Sequence, residues 1–320
     1  RGQPRRTQYH PTPQDGLILK DLMTPDFSHL FLDIDEASAM SLDDAIRHTN
    51  RVLDEVTAFY REHYTLVGRV ALFSGGNDSS TFLHLLRDRI DKVGHVNTGI
   101  GVPETAEYVR RVCREWDLEL IEAHPPEGET YRDLVLKYGF PGPGQHGLMY
   151  RTLKERALRT IRRGEIGKSG RTHRVMFVAG MRHFESNRRM RNTELTHTEG
   201  AIVWLSPIAY WTNDHMREYR ERFDVPRNEV SDNLHMSGEC LCGAFAAPGE
   251  LEHIRFFYPN VAAMIDGLQE EVAATDKPAV WGVRPPKKAT VGSVRSRLNR
   301  AIDNNDLGPL CAKCDLLPED

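Results

Sequence analysis

Two groups of residues in this chain have types and spacings that could do chemistry. The first is Ser74-Gly75-Gly76-Asn77-Asp78-Ser79-Ser80. It follows the apolar run Val70-Ala71-Leu72-Phe73 and opens an amphipathic stretch that reads as a helix from Ser79 to Arg87. A strand that empties through glycines into a helix N-terminus gathers backbone N–H groups and the positive helix end around one point, which suits a phosphate. The loop has no Gly-x-x-x-x-Gly-Lys-[Ser/Thr] pattern, so it is not a Walker-type loop. A plain glycine turn is the bland alternative, but it would leave the strand and helix flanks without a purpose. The second group is Cys240-Leu241-Cys242 and Cys311-Ala312-Lys313-Cys314, two close pairs separated by 68 residues. Four thiolates so arranged suit a [4Fe–4S] cluster. Zinc needs the same count but prefers wider pairs, and redox thiols are a third possibility. Cys113 sits beside Val112 in a helical stretch and reads as core.

The elements that must position these groups follow the order of an α/β fold. Apolar runs predict strands at 67–73, 93–97, 118–123 and 175–179, with a short one at 204–208. Helical spacing predicts helices from about Leu42 to Tyr60, 79–87, 103–116, 148–163 and 213–223. Strands alternating with helices imply parallel βαβ units. The expected architecture is a parallel twisted sheet flanked by helices, Rossmann-like, with a mainly helical, cysteine-rich C-terminal lobe. The expected organisation is an arm at 1–40, a nucleotide-binding α/β domain at 41–225 and the lobe at 226–320.

Ligands of such sheets sit at the carboxyl ends of the strands. Four ends bear suggestive residues: Ser74 to Ser80; Asn97-Thr98-Gly99; Gly180-Met181-Arg182 with Arg188 and Arg189; and Pro207 to Thr212. Ser74, Gly75, Gly76, Ser79 and Ser80 are placed on phosphate oxygens, with Asn77 among the nucleotide-binding residues of the same loop. Asp78 either holds the loop's shape or helps bind Mg²⁺. Arg182, Arg188 and Arg189 suit planar contact with phosphate or sulfate. Trp211 and Thr212 read as packing and a helix N-cap. His146 precedes a basic helix; a lone His is more often structural than a proton-transfer or phosphate-binding group.

These segments, in this order, resemble the pyrophosphate-loop (PP-loop) superfamily and within it the phosphoadenosine-phosphosulfate reductase family. The resemblance spans about Val67 to Cys242 and implies an adenine-nucleotide site, with Asn97, Thr98 and Gly99 at the adenine or ribose and Gly180 among the nucleotide-binding residues. It implies ATP and Mg²⁺, with Ser74, Asp78, Arg182 and Arg188 carrying the reaction. The sulfonucleotide reductases of this family end in Glu-Cys-Gly-x-His, which this chain lacks. If all four paired cysteines bind iron, no cysteine is left as a nucleophile. On that ground the expected function is that of an ATP pyrophosphatase activating a DNA backbone phosphate for sulfur incorporation. The DNA phosphorothioation proteins of the DndC and SspD types are the closest in logic. Sulfonucleotide reduction is the alternative, and tRNA thiolation a further one. DNA and a cysteine desulfurase are the implied partners.

Composition sets the outer limits. The 320 residues are 39% hydrophobic and 28% charged, with a net charge of −4, so bulk charge does not point to nucleic acid. Between Arg151 and Arg174, nine Lys/Arg face two acids, and residues 284–300 hold six with no acid. Such clusters meet phosphates or line a solvated helix face. No run of about 18 apolar residues occurs, and Arg1-Gly2-Gln3-Pro4-Arg5-Arg6 leads into no apolar stretch, so a cytoplasmic, membrane-free protein is expected. Five cysteines in a chain this long do not make a disulfide scaffold.

Overall fold

The computed structural model describes residues 25–167, 172–185 and 193–282. Arg188, Arg189, Cys311, Cys314 and the basic run 284–300 lie outside the described residues. The chain divides into two units, Arg1–Phe31 and Leu32–Asp320. The described part of the first holds one 3₁₀ turn, Ser28–Leu30. Everything below concerns the second.

Six strands form one sheet: β1 (Thr65–Leu72), β2 (Lys92–Val96), β3 (Leu120–Ala123), β4 (His173–Val178), β5 (Thr196–Glu199) and β6 (Ile202–Leu205), in the order β3-β2-β1-β4-β6-β5. All pairings are parallel except β5 with β6, so the sheet is mixed rather than purely parallel as expected. The polar sequence Thr196-His197-Thr198-Glu199 hides that edge strand, because an edge strand needs no apolar face.

Two short or capped helices lead in: α1 (Ile34–Ala39) and α2 (Leu42–His63). Ser41 caps α2, and Asp44 returns the bond to its backbone. The helix buries Ala45, Val52, Leu53 and Val56, residues at helical spacing, and packs on β1. Next come α3 (Asn77–Leu86), α4 (Pro103–Glu115), α5 (Tyr131–Tyr138) and α6 (His146–Tyr150). The predicted basic helix is in fact three pieces. A π-helical turn, Arg151–Glu155, joins α6 to α7 (Arg156–Ile166). One face of α7 buries Ala157, Leu158 and Ile161 against Val70, Val175 and Phe177 of the sheet, and its arginines lie on the other.

After β6 come α8 (Asn213–Arg222), α9 (Glu229–Leu234), α10 (Glu250–Phe257) and α11 (Pro259–Ala273). The expected strand at 204–208 ends at Leu205, and Pro207 lies beyond it. Trp211 is fully buried and donates to Thr49 Oγ1 at 2.8 Å. Thr212 caps α8 by accepting from His215 N. Residues beyond 225 share one apolar core with the middle of the chain: Leu234, Leu241, Ile265 and Leu268 pack with Ile100, Val135, Phe140 and Leu153. Among the described residues, no separate cysteine-rich lobe stands apart from that core. No helix among the described residues is long and apolar enough to cross a membrane.

Candidate active site

β1 and β4 lie side by side, and the chain leaves them toward opposite flanks of the sheet: β2 and β3 on one side, β6 and β5 on the other. This is a topological switch point, where the loops after two adjacent strands part and leave a crevice. A cavity of about 770 Å³ opens there, lined by Ser74, Gly76 and Asp78 after β1 and by Gly180, Met181 and Arg182 after β4. Its volume is within the range of small-molecule and cofactor pockets.

The Ser74–Ser80 loop is shaped for an anion. Gly75 has φ +77°, a conformation that side chains disfavour. Gly76 is the N-cap of α3 and offers no side-chain cap, so the N–H groups of the first turn stay open where Gly76, Asn77 and Ser79 line the cavity. Ser74 Oγ sits 3.1 Å from Ser79 Oγ, and Ser79 Oγ donates to the Gly76 carbonyl at 3.0 Å. Both hydroxyls thus stand at the cradle.

Arg182 and Asp78 meet each other before they meet a ligand. Arg182 is 5% exposed and donates from Nε and Nη2 to the two oxygens of Asp78, at 2.8 and 3.1 Å. Its Nη1 donates to the Trp211 carbonyl and to Asn213 Oδ1, both at 3.1 Å. Four of the five guanidinium donors are therefore bound within the protein. Gly180 makes the approach possible: a Cβ there would stand 2.7 Å from the Phe82 ring and 3.1 Å from the Asp78 backbone.

Sequence reasoning missed the residues that hold the loop from the far side. Asn228, buried at the N-cap of α9, donates from Nδ2 to the Gly75 carbonyl at 2.8 Å and accepts from Val230 N. Ser231 Oγ donates to the same carbonyl at 3.4 Å. Tyr108 on α4 pairs its hydroxyl with Ser80 Oγ and donates to the Pro226 carbonyl, both at 2.9 Å. An Asn three residues before a buried Ser at a helix start is a cap signal, but nothing in the sequence says which carbonyl the amide will find.

Asn97 and Gly99, expected at the adenine or ribose, do not line the main cavity. They line a separate cavity of about 190 Å³. Asn97 donates to Glu122 Oε1 and accepts from Gly99 N, and Arg110 grips the Glu122 carboxylate with two bonds. Arg110, helped by Asn97, holds the Glu122 carboxyl down to about 2. Thr98 is buried, and its hydroxyl donates to the Glu239 carbonyl at 2.7 Å. The main cavity also has apolar lining from Leu72, Gly94, Val96 and Leu158, so it joins the polar loop to an apolar surface.

A third cavity, of about 100 Å³, adjoins the first and is lined by Cys240, Cys242, His146 and Phe245. Five residues line both, Ser74 and Lys154 among them. Lys154, on the π-helical turn, donates to Glu239 at 3.1 Å, with both side chains about one-tenth exposed. Cys240 and Cys242 are half-buried. Tyr131 donates to the Cys242 carbonyl, and burial beside these cysteines pushes its hydroxyl well above the ordinary tyrosine range. Among the described residues no three His, Cys, Asp or Glu side chains converge on a metal position. Cys113 is a core residue, as expected, and burial pushes its thiol up to about 11.

The fold is of the Rossmann-like α/β class, with a glycine-bearing loop and a cavity at its switch point. The chain belongs to the phosphoadenosine phosphosulfate reductase domain family, whose model matches residues 68–237. A phosphoadenosine phosphosulfate reductase of Emericella nidulans is 26% identical over 138 residues, and the chain spans 42% of that relative's length and 42% of its own. Among solved structures, the phosphoadenylyl-sulfate reductase of Candida auris in a phosphate complex gives a TM-score of 0.44 at 16% identity, over 66% of this chain and 93% of that one. The U34-tRNA thiolase NcsA of Methanococcus maripaludis with its [4Fe–4S] cluster gives 0.40 at 13% identity, over 77% and 85%.

The family match overturns the expectation of ATP-driven DNA phosphorothioation. It lies on the segment from β1 to just past α9, which carries the crevice, and it is a match to phosphoadenosine phosphosulfate reductases. Arg182, expected to contact phosphate or sulfate, and Asp78, expected to hold the loop's shape or help bind Mg²⁺, are bound to each other.

Proposed function

We propose that this protein binds an adenylyl sulfate, with or without a 3′-phosphate, in the β1/β4 crevice and takes part in its reduction to sulfite. The observation that carries this is the single cavity joining the open first turn of α3 to the apolar wall of Leu72, Gly94, Val96 and Leu158, on the segment the family model covers. Phosphate and sulfate oxygens would sit on the backbone N–H groups of 76–79 and on the Ser74 and Ser79 hydroxyls. The adenine would take the apolar surface. The Arg182–Asp78 pair would act as a brace that keeps the cradle shaped before substrate arrives, so its electrostatics need no reorganisation during reaction.

The chemistry is a two-electron reduction. A thiolate attacks sulfur, the S–O bond to the nucleotide breaks, and the nucleotide phosphate leaves with the electron pair. A second thiolate then displaces sulfite as a disulfide forms. An external dithiol supplies both thiols, so no cysteine of this chain need be the nucleophile. Cys240 and Cys242 line one cavity from one loop, and their soft thiolates fit half of a four-thiolate site. With Cys311 and Cys314 they would hold a [4Fe–4S] cluster, or zinc, as a four-thiolate centre.

The test is sulfite release from ³⁵S-labelled adenylyl sulfate and its 3′-phosphorylated form, with a dithiol reductant and anaerobically purified protein. Release of labelled sulfite is the expected result. Pyrophosphate release from ATP with no sulfite from either sulfonucleotide would overturn the proposal. Iron content of about four per chain would support the cluster, and one zinc would replace it.

A further inference from the structure

Thr105, in the first turn of α4, is 1% exposed and stands where two segments meet. One is the anion loop. A Cβ on Gly75 would lie 3.0 Å from Thr105 Cγ2, so the threonine methyl fills the space beside that residue. The other is the strap 237–242, which carries Cys240 and Cys242. Thr105 Oγ1 donates to the Ser237 carbonyl at 2.7 Å. Asn228 Nδ2, which donates to the Gly75 carbonyl at 2.8 Å, also reaches Thr105 Oγ1 at 3.4 Å. The direction of this chain of bonds is fixed. The carbonyls at its two ends only accept, so the amide gives two bonds and the hydroxyl takes one and gives one.

Three further bonds tie the strap to the turn after β2. Val102 N donates to the Gly238 carbonyl at 2.8 Å, Thr98 Oγ1 to the Glu239 carbonyl at 2.7 Å, and Leu241 N to the Ile100 carbonyl at 3.0 Å. Those bonds end on the turn. The Thr105 bond continues, through Asn228, to Gly75. We propose that Thr105 is a positioning residue that couples the loop to the strap: an anion on the loop fixes the Gly75 peptide, and the Thr105 hydroxyl passes that order to the segment bearing the cysteines. By linkage, securing the cysteines tightens the loop for its anion by the same factor. That the anion belongs to an adenylyl sulfate rests on the reading above; the coupling needs only an anion.

The experiment is alkylation of Cys240 and Cys242 by iodoacetamide, followed peptide by peptide in the anaerobically purified full chain, with and without saturating AMP. Cys113, 2% exposed, reports unfolding in the same sample. AMP is expected to slow both cysteines by about fivefold or more, the lower end of ordinary coupling. Thr105→Val keeps a methyl toward Gly75 and loses the hydroxyl. Without ligand its two cysteines should react about fivefold faster than in the wild type, and AMP should no longer slow them. Thr105→Ser keeps the hydroxyl and loses the methyl. Its cysteines should react at close to the wild-type rates, with and without AMP, while its affinity for AMP falls. Slowing that persists in full in Thr105→Val means that the nucleotide only shields the thiols, and overturns the coupling. A wild-type rate in ligand-free Thr105→Val overturns it too. If Thr105→Val exposes Cys113, Thr105→Ser decides: an AMP effect retained there supports the coupling, and its loss overturns it. If the wild type binds no AMP, the nucleotide part of the reading above falls. Sodium sulfate then takes the place of AMP; the same pattern across the variants supports the coupling, and no effect of sulfate on the wild type overturns it.

Discussion

Arg182 clamps Asp78 with two hydrogen bonds, and so ties the chain leaving β4 to the first turn of α3 across the crevice. The pair is sequestered, 5% exposed on the arginine side and 24% on the aspartate side. Two walls of the cavity are fixed to each other by side chains, not by the sheet alone.

Breaking that clamp should cost stability as well as binding. Arg182→Ala leaves a carboxylate facing an empty site, and the expected loss is about 3 kcal/mol. Arg182→Lys should not restore it, because an ammonium cannot reproduce the fork that meets Asp78, Trp211 and Asn213. Denaturant unfolding of the single and double variants with Asp78→Ala gives the coupling energy. A value near zero would mean the pair contributes nothing.

Asn228→Asp separates loop shape from fold. Aspartate is as good an N-cap as asparagine, so α9 should keep its start. The Gly75 carbonyl, however, would lose its shorter donor, keep only Ser231 Oγ at 3.4 Å, and face an acceptor. Adenylyl sulfate affinity should fall about tenfold while Tm shifts by only a few degrees. Unchanged affinity would remove Asn228 from loop positioning.

Gly180→Ala probes the closeness of β4 to α3. The added methyl meets the Phe82 ring and the Asp78 backbone, both inside normal contact distance. Overpacking of this kind costs about 1–3 kcal/mol, and the Asp78 shift should weaken nucleotide binding in the same variant. Thermal melts and nucleotide titration of one sample check both.

Acid should weaken the fold in two separable windows. Burial, then Arg87, depresses His84 to about 4, from an ordinary value near 6.5. The unfolded chain therefore binds the extra proton first, and this stability is lost as pH falls from 6.5 toward 4. Glu122, held to about 2 by Arg110 and Asn97, is lost lower, as pH falls from 4.5 toward 2, and contributes on the order of 2 kcal/mol above that window. Stability against pH should lose its upper slope in His84→Gln and its lower slope in Glu122→Gln.

The loop, its flanking strand and helix, and the four parallel strands at 67–73, 93–97, 118–123 and 175–179 were legible because buried strands and glycine turns leave strong local signals, whereas the helix Tyr131–Tyr138 was not read. Elements with no apolar pattern were not, and Thr196–Glu199 is the case in point. Long-range polar partners were equally hidden. Nothing near Arg182 in sequence announces Asp78, 104 residues away, and nothing near Asn228 announces Gly75. Thr98 and Asn97 were correctly placed at a strand end, yet their side chains turn to Glu239 and Glu122 and not toward the phosphate cradle.

The π-helical turn Arg151–Glu155 does more than interrupt a basic helix. Each residue of an α-helix advances about 100° around the axis, so the extra residue of a wide turn swings everything after it by about that angle relative to an unbroken helix. The turn lets Lys154 reach Glu239 inside the protein while Leu158 and Ile161 still meet the sheet. Removing one residue from it would restore a regular helix and force a choice between the two. The positive charge at the junction of the two cavities is thus set by backbone phase, and a substitution scan of side chains alone would never find its cause.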